Sequence, residues 1–139
     1  TKLTAMDYAS EGIARCRDML EASKIQVQHH SPPSHVHVKA NTTANGNDKG
    51  VTLVVADARV LENVFEAHSF DAIIEKGTLD AIFLSGGQNK TLAHENMNRA
   101  ISELGRCLKP GGIWISIAAV VDSQIQTAFD GLVPEWECL

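Results

Sequence analysis

The sequence lacks the features of a membrane-spanning, secreted or disulfide-linked protein. No apolar run reaches the roughly 18 residues that a membrane-spanning helix needs, and the first residues lack the basic-then-apolar layout of a signal peptide. The three cysteines, Cys16, Cys107 and Cys138, are odd in number and widely spaced, which favours reduced thiols over a disulfide framework. These absences predict a soluble, cytoplasmic protein.

The sequence also lacks a positive charge excess. Its formal net charge of -5 offers no basic field to a phosphate backbone, so neither nucleic acid nor an anionic membrane is expected as a partner. A basic protein or a small molecule remains open as a substrate. With 139 residues and 44% hydrophobic content, the chain is long enough for one domain with a core.

Two common catalytic motifs are missing. There is no Gly-x-x-x-x-Gly-Lys loop and no His-Glu-x-x-His pair, which disfavours a nucleotide or metal hydrolase. The His-x-His spacing of His35 and His37, with His29 and His30 nearby, can present imidazoles to a metal. No cysteine or carboxylate accompanies them in a ligand-like pattern, so we predict a solvated loop and no metal site.

Alternating strands and helices are predicted from the apolar pattern. The runs at 51–55 and 70–74 are continuous, which is typical of strands buried on both faces of a parallel sheet. The predicted elements are a strand over 3–6, a helix from Ser10, a strand over 51–55, a short helix over 59–66, a strand over 70–74, a helix over 91–108 that Pro110-Gly111-Gly112 ends, and a strand over 113–117.

Between the first helix and the strand at 51–55, residues 26–50 lose all periodicity. Their polar composition cannot bury enough surface to offset the entropy of ordering, so we predict a flexible insertion. The whole order predicts an α/β fold: a Rossmann-like, mostly parallel sheet with helices on both faces. We expect one domain over residues 1–139, incomplete at its N-terminus.

Acidic residues follow three of the predicted strands, at Asp7, Asp57 and Glu75. In a doubly wound sheet, ligands bind outside the carboxyl ends of the strands. An acid at the end of an early strand can accept both hydroxyl hydrogens of a ribose, and an acid on the next strand can accept from an adenine amino group. Each aspartate alone is more often a helix cap or turn residue. A nicotinamide dehydrogenase would share the acid at Asp7.

Four segments together are more specific than their parts: residues 4–10 (Thr-Ala-Met-Asp-Tyr-Ala-Ser), 55–59 (Val-Ala-Asp-Ala-Arg), 70–81 (Phe-Asp-Ala-Ile-Ile-Glu-Lys-Gly-Thr-Leu-Asp-Ala) and 108–112 (Leu-Lys-Pro-Gly-Gly). In this order they resemble the methyltransferase-like 13 group of class I, S-adenosylmethionine-dependent methyltransferases. Better-known members of that group methylate lysines of a translation elongation factor. The Glu-Lys-Gly-Thr-Leu-Asp-Ala segment is the distinctive part and favours this group over a dehydrogenase.

The resemblance implies roles for individual residues. Asp7 would hold the cofactor ribose with Tyr8 beside the adenine, Asp57 and Ala58 would bind the adenine edge, and Glu75 with Lys76 would face the methionine end of the cofactor and the entry of the methyl acceptor. Glu75 or Asp80 would orient a lysine amine or take its proton. Thr78, Leu79 and Asp80 would begin a loop that closes over the acceptor. The alternative for Glu75 is a cap of the following turn, with its charge neutralised by Lys76.

Substrate and partner also follow from the resemblance. It implies transfer from S-adenosylmethionine to a protein lysine or N-terminal amine, with S-adenosylhomocysteine as product and a translation elongation factor as one candidate substrate. The alternative is a non-catalytic interaction module that keeps the scaffold and forms a homodimer through an incomplete sheet edge.

One departure from the family pattern concerns the cofactor. The family places a strand and a Gly-x-Gly-x-Gly loop about 20 residues before the ribose-binding acid, whereas Asp7 has only six residues ahead of it. Either the chain is part of a longer enzyme, or the protein lacks the motif and does not methylate. Both readings predict weak or absent S-adenosylmethionine binding by these 139 residues alone.

Overall fold

The computed structural model describes residues 2–25, 27–28 and 50–119. The chain divides into two compact units, one ending at Asp57 and one beginning at Ala58. Most of the predicted insertion lies outside the described residues, as do its four histidines, Cys138 and the C-terminal segment. No helix of the described part is long and apolar enough to cross a membrane.

The first unit is a small parallel sheet with one helix. It contains β1 (Leu3–Asp7), α1 (Ser10–Ala22), β2 (Val27–Gln28) and β3 (Val51–Val55). The strand order is β1-β3-β2, and β3 pairs in parallel with both neighbours. The short β2 lies where the sequence predicted only an insertion. Its pairing with β3 shows that the sheet continues past α1.

The core of this unit forms because α1 turns one apolar stripe onto the sheet. Ile13 is 5% exposed and packs with Val51 and Leu53 of β3. The spacing of Ile13, Cys16, Met19 and Leu20 in the sequence predicts an apolar face on this helix, and Cys16 and Leu20 do extend the buried stripe. Met19, which the same spacing places on the apolar face, is instead 71% exposed, so the buried stripe of α1 is narrower than predicted.

In the second unit, two parallel strands are joined through two helices. It contains β4 (Phe70–Lys76), α2 (Thr78–Leu84), α3 (Lys90–Cys107) and β5 (Leu108–Ile117). β4 pairs in parallel with β5, so every strand pair in the described chain is parallel. The predicted α/β class is thus confirmed. Among the described strands, β1 pairs only with β3, and β4 only with β5.

Helix α3 matches its predicted pattern closely. Its N-cap residue Asn89 accepts a hydrogen bond from the Leu92 N–H at 3.1 Å, which satisfies a donor that the first turn leaves unpaired. The buried stripe consists of Ala93, Met97, Ala100, Ile101, Leu104 and Cys107. This periodicity makes α3 the central core element of the second unit.

Two predicted elements were wrong. Residues 59–66 form turns rather than a helix, and the N–H groups of Val64 and Phe65 both donate to the Leu61 carbonyl. The Leu61 N–H donates to Glu103 at 2.9 Å, so a tertiary contact replaces helical bonding in a segment too short to propagate a helix alone. The loop predicted at Thr78 is instead the first turn of α2.

The prediction that β4 is buried on both faces was also wrong. Residues paired in register lie on the same face of a sheet, so Ile74 shares a face with Ile113, Ile115 and Ile117. These four side chains are 71%, 62%, 47% and 52% exposed. We call them the isoleucine face. Glu75, on the opposite face, is only 7% exposed, so the described helices of this unit cover one side of the pair.

Strand β5 begins earlier than the predicted 113–117. It follows α3 directly at Leu108, and its pairing with β4 is irregular between Phe70 and Ala72. Gly111 has φ of +75°, a conformation that strongly favours glycine. Helix α3 thus ends at Cys107, before the Pro110-Gly111-Gly112 segment that was predicted to end it, and that segment lies within the irregular strand β5.

Candidate functional site

In the first unit, Asp7 and Asp57 lie at the same end of two neighbouring parallel strands. Asp7 is paired with Val55 across the sheet, and its carbonyl oxygen accepts the Ala56 N–H at 2.9 Å. Asp57 follows Ala56 directly, so both aspartates stand at the carboxyl ends of strands spaced about 4.8 Å apart. This edge is where open α/β sheets bind their ligands.

The Asp7 carboxylate is held over the start of α1. Its Oδ1 accepts the Ala9 N–H at 2.9 Å, and no other described residue donates to it. Tyr8, between them, is 79% exposed, which leaves its ring available to pack against a ligand. The hydrogen bond from Ala9 uses one lone pair of Asp7 Oδ1. Each oxygen of the carboxylate still has at least one lone pair for another donor.

At the end of β3, Asp57 and Ala58 differ in exposure. Asp57 is half-buried, whereas Ala58 is 4% exposed and has no polar side-chain atom. Any polar contribution of Ala58 to a ligand is thus limited to its backbone, while Asp57 supplies a carboxylate.

In the second unit, the Glu75 carboxylate joins three elements. Its Oε2 accepts the N–H groups of Thr78 at 2.9 Å and Leu79 at 3.3 Å, and its Oε1 accepts the hydroxyl hydrogen of Ser116. Glu75 therefore satisfies first-turn donors of α2 and ties them to β5. Gly77, the N-cap residue, has φ of +70° and no side chain to perform this role. This geometry is the capping arrangement that the sequence left open.

Asp80 makes a second link of the same kind. It is 8% exposed, and its Oδ2 accepts the Ala119 N–H at 2.8 Å, just beyond the end of β5. Two buried carboxylates, those of Glu75 and Asp80, thus link the start of α2 to the C-terminal end of β5 through hydrogen bonds. Lys76 is exposed, and within the described ranges it forms no ion pair with Glu75.

Two carboxylates with shifted pKa values in this unit, those of Glu103 and Asp71, form contacts between different segments of the fold. A hydrogen bond from Arg106 lowers the pKa of Glu103, whose Oε2 also accepts the buried Leu61 N–H. The Lys109 ammonium, 2.6 Å from Asp71, lowers the pKa of that exposed carboxylate by hydrogen bonding and by its charge. This contact links Asp71, at the start of β4, to Lys109 of β5.

Sequence reasoning missed two residues that contact the predicted site residues. Ser116 was not identified because a serine inside an apolar strand gives no signal until its partner is known. Gly12 was not identified because a single glycine in a helical pattern reads as a weak helix former. The described residues contain no cluster of three or more metal-ligating side chains.

Parallel strand pairs with carboxylates at the strand ends are typical of Rossmann-like α/β proteins, the fold of class I methyltransferases. The family model described as "Methyltransferase domain" matches residues 1–116, and the chain belongs to this S-adenosylmethionine-dependent family. The predicted methyltransferase class and cofactor are thereby confirmed. The described carboxylates that are candidates to bind the adenosine of this cofactor are those of Asp7 and Asp57, which stand at the ends of neighbouring strands.

A curated relative is the EEF1A lysine methyltransferase 4 of Mus musculus. It is 36% identical over 66 residues, which are 45% of this chain. The same alignment covers 25% of the relative, so the chain corresponds to about a quarter of that protein's length.

Proposed function

We propose that the protein carrying this domain methylates a lysine side chain of another protein. The observation that carries the proposal is the similarity to a relative whose name states lysine methylation of EEF1A. The Glu-Lys-Gly-Thr-Leu-Asp-Ala segment at 75–81 supports placement in the methyltransferase-like 13 group. A translation elongation factor is the first substrate to test, and a protein N-terminal amine is the second.

For the cofactor, we propose that Asp7 accepts the ribose hydroxyl hydrogens and that Tyr8 packs beside the adenine. Asp57 and Ala58 bind the adenine edge, and Glu75 with Lys76 serves the methionine end. When bound, S-adenosylmethionine supplies an electrophilic methyl group on its sulfonium. The chain's own contribution is alignment, which can be worth about 7–11 kcal/mol in well-oriented systems.

For the acceptor, we propose that Glu75 and Asp80 act together at the start of α2. A direct role as base requires reach to the amine proton, and both carboxylates are engaged with backbone or hydroxyl donors. These hydrogen bonds favour an indirect role, in which Glu75 and Asp80 hold α2 and the end of β5 in the positions that orient the acceptor amine. A carboxylate that left these bonds to act as base would leave buried N–H groups unpaired, which costs about 1–3 kcal/mol.

The cytoplasm is the proposed location. Cys107 is buried and Cys16 half-buried, and both are free thiols, as expected in a reducing compartment.

The test uses the protein that carries this chain, in its natural full length, with isotopically labelled S-adenosylmethionine. Purified elongation factor should gain a labelled methyl group on a lysine, read by peptide mass spectrometry. Asp7→Ala and Asp57→Ala should abolish labelling, whereas Met19→Ala, at an exposed position of α1, should leave it unchanged. Cofactor binding with no methylated protein in a whole lysate would refute the enzyme and favour the non-catalytic module.

A further inference from the structure

We propose that Gly12 is a positioning residue for the Asp7 carboxylate, and that its missing side chain permits the orientation in which Asp7 binds ribose. The proposal rests on the function proposed above for Asp7. Gly12 lies in the first turn of α1, the helix that follows β1.

Helix stability does not explain a glycine at this position. Glycine within a helix is less favourable than alanine, because it loses more conformational freedom on folding. The N-cap residue Ala9 has no polar side chain with which to cap α1, so a glycine in the first turn is not offset by a capping bond from the N-cap residue. Close approach of another group is the remaining physical reason for a residue without a side chain.

That group is the Asp7 carboxylate. A Cβ added to Gly12 would lie 2.6 Å from Asp7 Oδ2 and 3.0 Å from its Cγ. Such a carbon–oxygen separation is well inside van der Waals contact, so one of the two groups must move. Since both Oδ2 and Cγ are involved, the whole carboxylate would have to shift.

The rest of Asp7 is fixed, so the shift must come from its side chain. Its backbone pairs with Val55, and its carbonyl accepts the Ala56 N–H at 2.9 Å. Its Oδ1 accepts the Ala9 N–H at 2.9 Å. Rotation of the carboxylate away from residue 12 therefore breaks or weakens the Ala9 bond. It also turns the two carboxylate oxygens away from the orientation in which we propose that they accept the ribose hydroxyl hydrogens.

The test compares Gly12→Ala with the natural full-length protein. We expect the dissociation constant for S-adenosylhomocysteine, measured by isothermal titration, to rise about tenfold, the effect of losing roughly one charged hydrogen bond. The Ala9 amide resonance should move toward its position in Asp7→Ala, in which its acceptor is absent. The thermal midpoint should stay the same or rise, because alanine is the better helix former.

Two further variants separate this role from simple packing. In the Asp7→Ala background, adding Gly12→Ala should weaken binding no further and should raise the midpoint by more than it does alone, since the collision is gone. Met19→Ala, an exposed change on the same helix, should alter neither binding nor the Ala9 resonance.

Each contrary outcome is distinct. Unchanged binding by Gly12→Ala, or an unmoved Ala9 resonance, overturns the proposal. If Gly12→Ala lowers the thermal midpoint of unfolding and still does so in the Asp7→Ala background, the glycine serves helix packing and the proposal is overturned. Failure of the unsubstituted protein to bind S-adenosylhomocysteine refutes the proposed cofactor role of Asp7, and the inference with it, before any variant is compared.

Discussion

The carboxylate of Glu75 accepts the hydroxyl hydrogen of Ser116, 41 residues further along the chain, and the same carboxylate caps α2. One buried side chain thus joins the carboxyl ends of β4 and β5 to the helix that follows β4. The shape of the proposed acceptor site, at the start of α2, depends on this contact.

Ser116→Ala should therefore reproduce part of the effect of Glu75→Gln. We expect both variants to lower kcat for protein methylation. Glu75→Gln should have the larger effect because it also loses the carboxylate acceptor of two backbone N–H groups. Steady-state kinetics of the full-length enzyme measure this. Ser85→Ala, whose exposed hydroxyl contacts only its own helix, is the matched control.

A direct base role for Glu75 predicts a different pattern. Ser116→Ala would then leave turnover near that of the unsubstituted enzyme, while Glu75→Gln would abolish it. Unchanged kinetics in both variants would remove Glu75 from the mechanism altogether.

Glu103 gives the fold a pH dependence of known sign. Its pKa is lowered below the usual 4.5, chiefly by the hydrogen bond from Arg106, so its stabilising effect is complete above that value and is lost as pH falls through the lower folded value. Glu103→Gln should reduce stability at pH 7 by about 1–2 kcal/mol and should flatten the loss of stability on acidification below about pH 5. Urea unfolding across pH measures both.

Glu95→Gln is the control for this change, because Glu95 is exposed on the same helix. If Glu95→Gln reduced the loss of stability on acidification by the same amount, the loss of one negative charge, and not the contact with Arg106, would be responsible.

Core and surface isoleucines of the second unit should respond very differently to substitution. Ile101 is 0% exposed, so Ile101→Ala should cost about 2–5 kcal/mol of unfolding free energy. Ile113, on the isoleucine face, is 62% exposed, and Ile113→Thr keeps its β-branching, so the cost should stay within about 0.5 kcal/mol. Denaturant unfolding compares them. Equal losses would mean that this face is covered in solution.

Cys107 should resist alkylation in the folded protein. It is 1% exposed, and burial raises the pKa of its thiol, so both access and thiolate formation are disfavoured. Iodoacetamide labelling at pH 8, followed by peptide mapping, should modify Cys16 before Cys107, with Cys107 labelled only on unfolding. Rapid native labelling of Cys107 would contradict the packing of α3.

The long apolar patterns were predictable because they are local. Helix α3 has a stripe of buried residues at regular spacing, and β3 has a β-branched run, so each element is encoded within a few turns or residues. The short helices were not predictable. A helix at 59–66 was predicted and is absent, while α2 was missed, because both outcomes depend on Glu103 and Glu75, which lie outside the short segments they hold.

By itself, the sequence determined the α/β class, the methyltransferase family and the position of acids at strand ends, because strand-ending residues and family segments are readable along the chain. Only the tertiary structure decided that Glu75 caps α2 against Ser116, that one face of the β4 and β5 pair is exposed, and that Gly12 makes room for Asp7. The reason is physical: a carboxylate's partners and a side chain's burial are set by groups brought together across the fold, and no local pattern records them.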